Sequence, residues 1–193
     1  MHFQIIALTI LAVFYGCYFG KMLTQKKRGI RTDHLGQGKE GFVKAVEIGT
    51  KVSSIVIVII EISSILTGAC AFPDPVRWAG ALAAAAGTVI FIASILTMRD
   101  SWRAGVSTTE KTELITGGIY RFSRNPAFLG FDLVYLGIAL MFANPLLLIA
   151  SFITALIFHL QIVNVEEDFL LEAFGEEYLR YKKTVNRYFG RRA

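Results

Sequence analysis

The chain has 193 residues, 54% of them hydrophobic, with a mean hydropathy of +0.52 and a formal net charge of +5. So apolar a composition excludes an ordinary soluble domain and predicts a membrane protein. The positive balance does not mark a nucleic-acid binder, because Lys and Arg fall between the apolar runs, where they set topology and meet anionic headgroups.

The first apolar run, Phe3 to Leu23, is long enough to span a bilayer. Nothing basic precedes it, while Lys21, Lys26, Lys27, Arg28 and Arg31 follow, the reverse of a cleaved signal peptide. It is therefore expected to be a retained span with its N-terminus outside. Within it Gly16-x-x-x-Gly20 offers a close helix contact. Cys17 here and Cys70 later have no metal or redox spacing and read as unpaired packing residues. Thr24 to Lys51 is polar and Gly-punctuated, a cytoplasmic connector with a short helix predicted near Phe42 to Ile48.

Val52 to Phe72 forms the second predicted span, with Glu61 near its middle. An ionisable group there is a protonated or paired packing residue, or a polar group near a substrate path. Pro73-Asp74-Pro75 makes an external turn, and Arg77 to Met98 is the third span. Ala79, Ala83 and Gly87 recur every four residues on it as a small-residue stripe. Lys51, Arg99 and Arg103 keep the other helix ends inside.

Arg99 to Ser123 reads as a structured cytoplasmic segment. It leads into Gly117 to Phe131, where Tyr120, Arg121 and Arg124 stand directly before Asn125-Pro126. Asn is a favoured N-cap and Pro a favoured first helical residue. Such a helix start offers unpaired N–H groups to a carboxylate or phosphate; equally, the arginines serve as a positive-inside anchor. Pro126 to Phe142 and Pro145 to Val163 make a helical hairpin in which Asp132 and His159 are the ionisable members. Each ~17-residue helix covers about 25 Å, short of the ~30 Å hydrocarbon core. His159 stands alone and reads as hydrogen-bonded structure, so no metal site is expected.

Beyond the hairpin lies an acidic cluster headed by Glu166 and Glu167, with a helix break expected at Gly175. Carboxylates near an inner membrane face call for a cationic partner from the protein or a ligand. Tyr178, Tyr181, Val185 and Tyr188 recur at helical spacing, to pack against the hairpin mouth or sit among headgroups.

Two stretches now stand out: the run from Gly117 to Gly130, and Glu166-Glu167-x-x-Leu170-x-x-x-Phe174-Gly175-x-Glu177-Tyr178-x-x-Tyr181-x-x-x-Val185-x-Arg187. Together they resemble the integral-membrane methyltransferases typified by isoprenylcysteine carboxyl methyltransferase, with bacterial phospholipid methyltransferases as relatives. The resemblance covers about Trp102 to Phe189, while the first three spans match only in hydropathy. It implies an all-α polytopic membrane protein of about five transmembrane helices. Residues 1–98 would be a three-span region with connector 24–51. Residues 99–193 would be the catalytic region, comprising hairpin 126–163 and a cytoplasmic C-terminal helical segment that completes the cofactor pocket.

The implied cofactor is S-adenosylmethionine, and the implied acceptor is a lipid or lipidated molecule arriving from the bilayer. Glu166 and Glu167 would neutralise the ammonium or the ribose edge, while Arg124 and the Asn125-Pro126 helix start hold the carboxylate. Tyr120 and Phe128 would flank the adenine, with Leu129 and Tyr178 completing the cofactor set. Glu167 and Arg187 are the expected catalytic residues, Arg187 orienting the acceptor or a headgroup phosphate. The chain departs from the family at Asn125, where His is common, and at Phe128, where Tyr is common. Gln161, Ile162 and Asn164 occupy the region of a common Arg, removing a charge that could hold an anionic acceptor. Two other readings stand beside this one. A membrane reductase using a nicotinamide cofactor shares the C-terminal architecture, though no Gly-rich fingerprint is present. A non-catalytic membrane scaffold would pair its acidic and basic motifs with each other.

Overall fold

The computed structural model describes residues 1–106 and 113–192, so residues 107–112 of the expected polar segment lie outside the described residues. Among the described residues six α-helices carry the fold: α1 His2–Lys27, α2 Gly41–Thr67, α3 Asp74–Met98, α4 Pro126–Phe142, α5 Pro145–Gln161 and α6 Glu167–Thr184. α1, α2, α3 and the continuous α5–α6 run are long and apolar enough to cross a membrane; α4 is apolar but only 17 residues long. The protein is thus all-α and membrane-integral.

Some helix boundaries correct the sequence reading. The separate helix near Phe42 to Ile48 and the span from Val52 are one helix, because Gly49 alone costs only about 1 kcal/mol and does not break it. That helix stops at Thr67, where Gly68 turns left-handed (φ 66°), rather than at Phe72. The connector accordingly shrinks to residues 28–40. α3 starts at Asp74 rather than Arg77, with Pro75 in its first turn, and Asn144 caps α5 by accepting a hydrogen bond from Leu146 N at 2.9 Å. Gly175, at φ 49° and ψ −122°, breaks α6.

The tightest seam joins α3 to α4. A Cβ on Gly80 would lie 2.5 Å from Gly137 O, and one on Gly87 would lie 2.6 Å from Gly130 O. The contact register is therefore Gly80–Ala84–Gly87, not the predicted Ala79–Ala83–Gly87; Ala79 is exposed. A strict four-residue repeat drifts off a 3.6-residue period, whereas alternating steps of four and three stay on one face. The Gly16-x-x-x-Gly20 contact is also corrected: a Cβ at either position would meet nothing within 4 Å.

At one end of the bundle neutral hydrogen bonds tie the helices together. Gln4 Nε2 donates to Ile65 O (2.8 Å), and Asn144 Nδ2 donates to Ser64 Oγ (2.7 Å). Arg77 Nε donates to Met141 O (2.9 Å) while its guanidinium lies 3.9 Å from the Phe3 ring centroid. Arg77 is, among the described residues, the only Lys or Arg that chain order places at this end. Glu61 is fully buried between the ends, and neither of its oxygens has a partner among the described residues.

Candidate functional site

The basic end of the bundle is built differently. Gly118 (φ 55°) packs against Thr97 and starts a 3-10 turn, Gly118–Arg121, that buries Tyr120. Tyr181 Oη donates to Tyr120 O at 2.6 Å, fastening α6 onto this turn. α4 begins at Pro126 as read, but Asn125 does not cap it. Its Nδ2 instead donates to Arg187 O (3.2 Å), and the backbone N–H groups of Arg124 and Asn125 donate to Asn186 O and Arg187 O. The C-terminal tail has taken the place of the expected cap interaction.

Between α5 and α6 the helix widens into a π turn, Ile162–Glu166. Such a turn shifts the phase of the side chains that follow, and it separates the two adjacent carboxylates. Glu167 is buried and ion-paired with Arg187 (2.7 Å), Lys182 (2.9 Å) and Arg124 (3.0 Å). Arg124 also donates to Tyr178 Oη at 2.8 Å. Burial alone would raise the Glu167 pKa, but hydrogen bonds from Arg187 and Lys182, with the charge of Arg124, hold it at about 2.

Glu166 faces a cavity of about 190 Å³. It accepts a hydrogen bond from Gln161 Nε2 at 3.2 Å. Lys39, the cation whose charge it feels, is salt-bridged to the buried Glu47. Burial pushes the Glu166 pKa up to about 7. Arg124 and Gln161 line the same space, and Arg124 Nε and Gln161 Oε1 are buried without partners among the described residues.

The cavity brings together Tyr120, Arg124, Asn125, Phe128 and Glu166 of the residues read from sequence. Pro126, Leu129, Glu167, Tyr178 and Arg187 do not line it; Glu167, Tyr178 and Arg187 stand behind Arg124 as its support. Tyr178, Tyr181 and Val185 pack with Tyr120, away from the hairpin; only Tyr188 reaches it, its hydroxyl 2.6 Å from His159 Nδ1. Glu61, weighed as a protonated or paired packing residue or a group near a substrate path, has no hydrogen-bond partner among the described residues and does not line the cavity.

Sequence reasoning missed the aromatic walls, Tyr18, Trp102, Phe131 and Phe158, which come from separate elements. It also missed the roof. The connector joins residues 102–106 through His34 N to Ala104 O (2.9 Å) and Ala104 N to Thr32 O (2.8 Å). Gly105 (φ 80°) lets Leu35 approach, and a Cβ there would lie 3.1 Å from Leu35 N. The connector's glycines were the only signal available.

A family model described as phospholipid methyltransferase matches residues 76–177. The match begins in α3, so the likeness reaches further back than the motif resemblance, which began at about Trp102. Among similar proteins, protein-S-isoprenylcysteine O-methyltransferase A of Arabidopsis thaliana is 33% identical over 101 residues, 51% of each chain. The Saccharomyces cerevisiae protein-S-isoprenylcysteine O-methyltransferase is 38% identical over 72 residues, 37% of this chain and 30% of its own. A probable protein-S-isoprenylcysteine O-methyltransferase of Oryza sativa subsp. indica is 30% identical over 128 residues, 63% of this chain and 67% of its own. The chain thus spans about half or less of the length of the first two. Because the family match covers most of the bundle's α3–α6 half, including the Glu166 turn, the chain belongs to the phospholipid methyltransferase family.

Proposed function

We propose that this protein is an integral-membrane methyltransferase that uses S-adenosylmethionine in the basic-end cavity and methylates a lipid or lipidated acceptor from the bilayer. The observation that carries the reading is Glu166, a carboxyl in an aromatic-walled cavity whose neighbouring cation is already committed to Glu47. It calls for a cation, and the similar proteins, protein-S-isoprenylcysteine O-methyltransferases, supply the reaction class.

The side chains fit that cofactor. Glu166 and Gln161 Oε1 accept from the ammonium and ribose hydroxyls, and Arg124 Nε donates to the carboxylate. Tyr120 and Phe128 flank the adenine, while Phe131 and Phe158 keep water from the reacting atoms. When bound, S-adenosylmethionine supplies an electrophilic methyl carbon on a sulfonium. The protein's part is positioning: Glu167 and Tyr178 fix the Arg124 guanidinium, and Arg187 in turn holds Glu167. With Gln161 at the end of α5 and Ile162 and Asn164 on the π turn, either a prenylated cysteine carboxyl or a phospholipid headgroup is accommodated as acceptor.

The basic end faces the cytoplasm of a plasma or inner membrane, because the described Lys and Arg other than Arg77 cluster there; the N-terminus is outside. A scaffold reading keeps one supporting observation, the internal pairing of Glu167 with Arg124 and Arg187. Titration calorimetry of the purified protein decides. S-adenosylmethionine binds in the methyltransferase, reduced nicotinamide dinucleotide binds in a reductase, and neither binds in a scaffold. Incubation with labelled S-adenosylmethionine and membrane extract then identifies the acceptor by mass spectrometry.

A further inference from the structure

The C-terminal tail ends in a tight turn. Val185 bridges to Arg191, Asn186 N donates to Gly190 O (2.9 Å), and Gly190 (φ 98°) closes the loop. This turn is fixed in height relative to the bundle. Arg124 N and Asn125 N, at the start of α4, donate to its Asn186 and Arg187 carbonyls, and Tyr188 reaches His159 in the last turn of α5. α4 has 17 residues and covers about 25 Å, less than a hydrocarbon core of ~30 Å. The starting end of α4, and the tail turn level with it, therefore lie at the boundary between acyl chains and headgroups.

Two large apolar rings stand outward at that level. Phe189 is 74% exposed and Phe122 is 53% exposed, and Gly190 N donates to Phe122 O (2.7 Å), holding their segments together. Beside them Arg121, Arg191 and Arg192 are exposed, and none forms an ion pair among the described residues. Arg121 and Arg191 line a cleft of about 340 Å³ with Thr116 and Thr184. Exposed phenylalanines are out of place in water but suited to the interface, and the adjacent guanidiniums and hydroxyls suit a phosphate.

We infer that the 185–191 turn and Phe122 form an interfacial anchor, and that the Arg121–Arg191 cleft takes the headgroup phosphate of an anionic phospholipid of the same leaflet. The anchor stands on topology and exposure, independently of methyl transfer. It also has a consequence for the cavity, since Arg187 lies within the turn and holds Glu167 behind Arg124. A leaflet that docks the turn steadies that support.

The test uses the full chain in lipid nanodiscs, with Cys17 and Cys70 replaced by Ala and a nitroxide placed at Phe189→Cys. Collision with oxygen reports the acyl region and collision with a nickel chelate reports water. In phosphatidylcholine discs containing phosphatidylglycerol the label is oxygen-accessible. Arg121→Gln/Arg191→Gln lowers the docked population by about tenfold or more, with helix content unchanged by circular dichroism. A chelate-accessible label in anionic discs overturns the anchor. An oxygen-to-chelate ratio indifferent to the arginines overturns the headgroup site. So does inorganic phosphate that reproduces the anionic-lipid effect in phosphatidylcholine discs, since the cleft would then take a soluble anion.

Discussion

The two ends of the bundle are held together by different physics. Around Gln4, Ser64, Arg77 and Asn144 the contacts are short, mostly neutral and satisfied by partners on neighbouring helices. Around Glu166 and Glu167 the contacts are ionic, and buried polar atoms on Arg124 and Gln161 lack partners among the described residues. Satisfied groups stabilise a fold, whereas unsatisfied ones are costly unless a ligand completes them. The first end is read as structure and the second as a site. The contrast repeats within a single residue step, because Glu167 faces cations of its own and Glu166 faces the cavity.

The largest way to break that contrast is Glu167→Gln. It leaves Arg124 buried without its counter-charge, and losing one partner of a buried pair costs roughly 3–5 kcal/mol. A large fall in the detergent melting temperature is expected; a melt unchanged from the parent would show the ion cluster to be idle. Its acid dependence has a definite sign. The Glu167 pKa is lowered from 4.5 to about 2, so its contribution is complete above pH 4.5 and lost as pH falls toward 2. Stability measured across that range should decline in the parent and decline less in the variant.

Next in size is Gly137→Ala on the α3–α4 seam. The new Cβ meets Gly80 O at 2.5 Å, backbone that cannot swing aside, and overpacking of this kind costs about 1–3 kcal/mol. Gly16→Ala, in the open space that the same type of motif occupies on α1, should change the melt by less than about 0.5 kcal/mol. Equal effects would mean that α1 packs against something beyond this chain.

These glycines show what could be read from the sequence and what could not. Hydropathy and the Pro, Gly and Asn punctuation marked the five apolar helices and the Gly175 break, because membrane burial requires long apolar runs and helix ends require special backbone. Which glycines touch is a property of two facing helices, and neither Gly16-x-x-x-Gly20 nor the Ala79 stripe carried that information. The cavity was half legible: Tyr120 to Phe128 and Glu166 form one compact pattern, but Tyr18, Trp102, Phe131 and Phe158 converge only in the folded bundle. Nor does the string Ile162-Val163-Asn164-Val165 announce a π turn, so two adjacent acids looked equivalent when they are not.

A smaller effect sharpens the distinction between the acids. The Glu166 pKa is raised from 4.5 to about 7, so ionising it costs stability as pH rises between those values. A bound ammonium reverses that cost. Affinity for S-adenosylmethionine should therefore climb as pH rises from about 5.5 to 7.5, before the ligand's own amine deprotonates near 8. Glu166→Gln should flatten the profile, and a profile left unchanged by the substitution would place the titrating group elsewhere.

The most direct measurement compares Glu166→Gln with the parent at pH 7.5, reading S-adenosylmethionine affinity by calorimetry and stability by thermal melt. A charge-assisted hydrogen bond contributes roughly 1.5–3 kcal/mol, so affinity should fall about ten- to a hundredfold or more. The melt should stay level or rise, since a raised pKa marks a charge that the fold does not favour. Unchanged affinity, or a loss matched by a collapse in stability, would contradict the assignment of Glu166 as the carboxylate that receives the cofactor's cation.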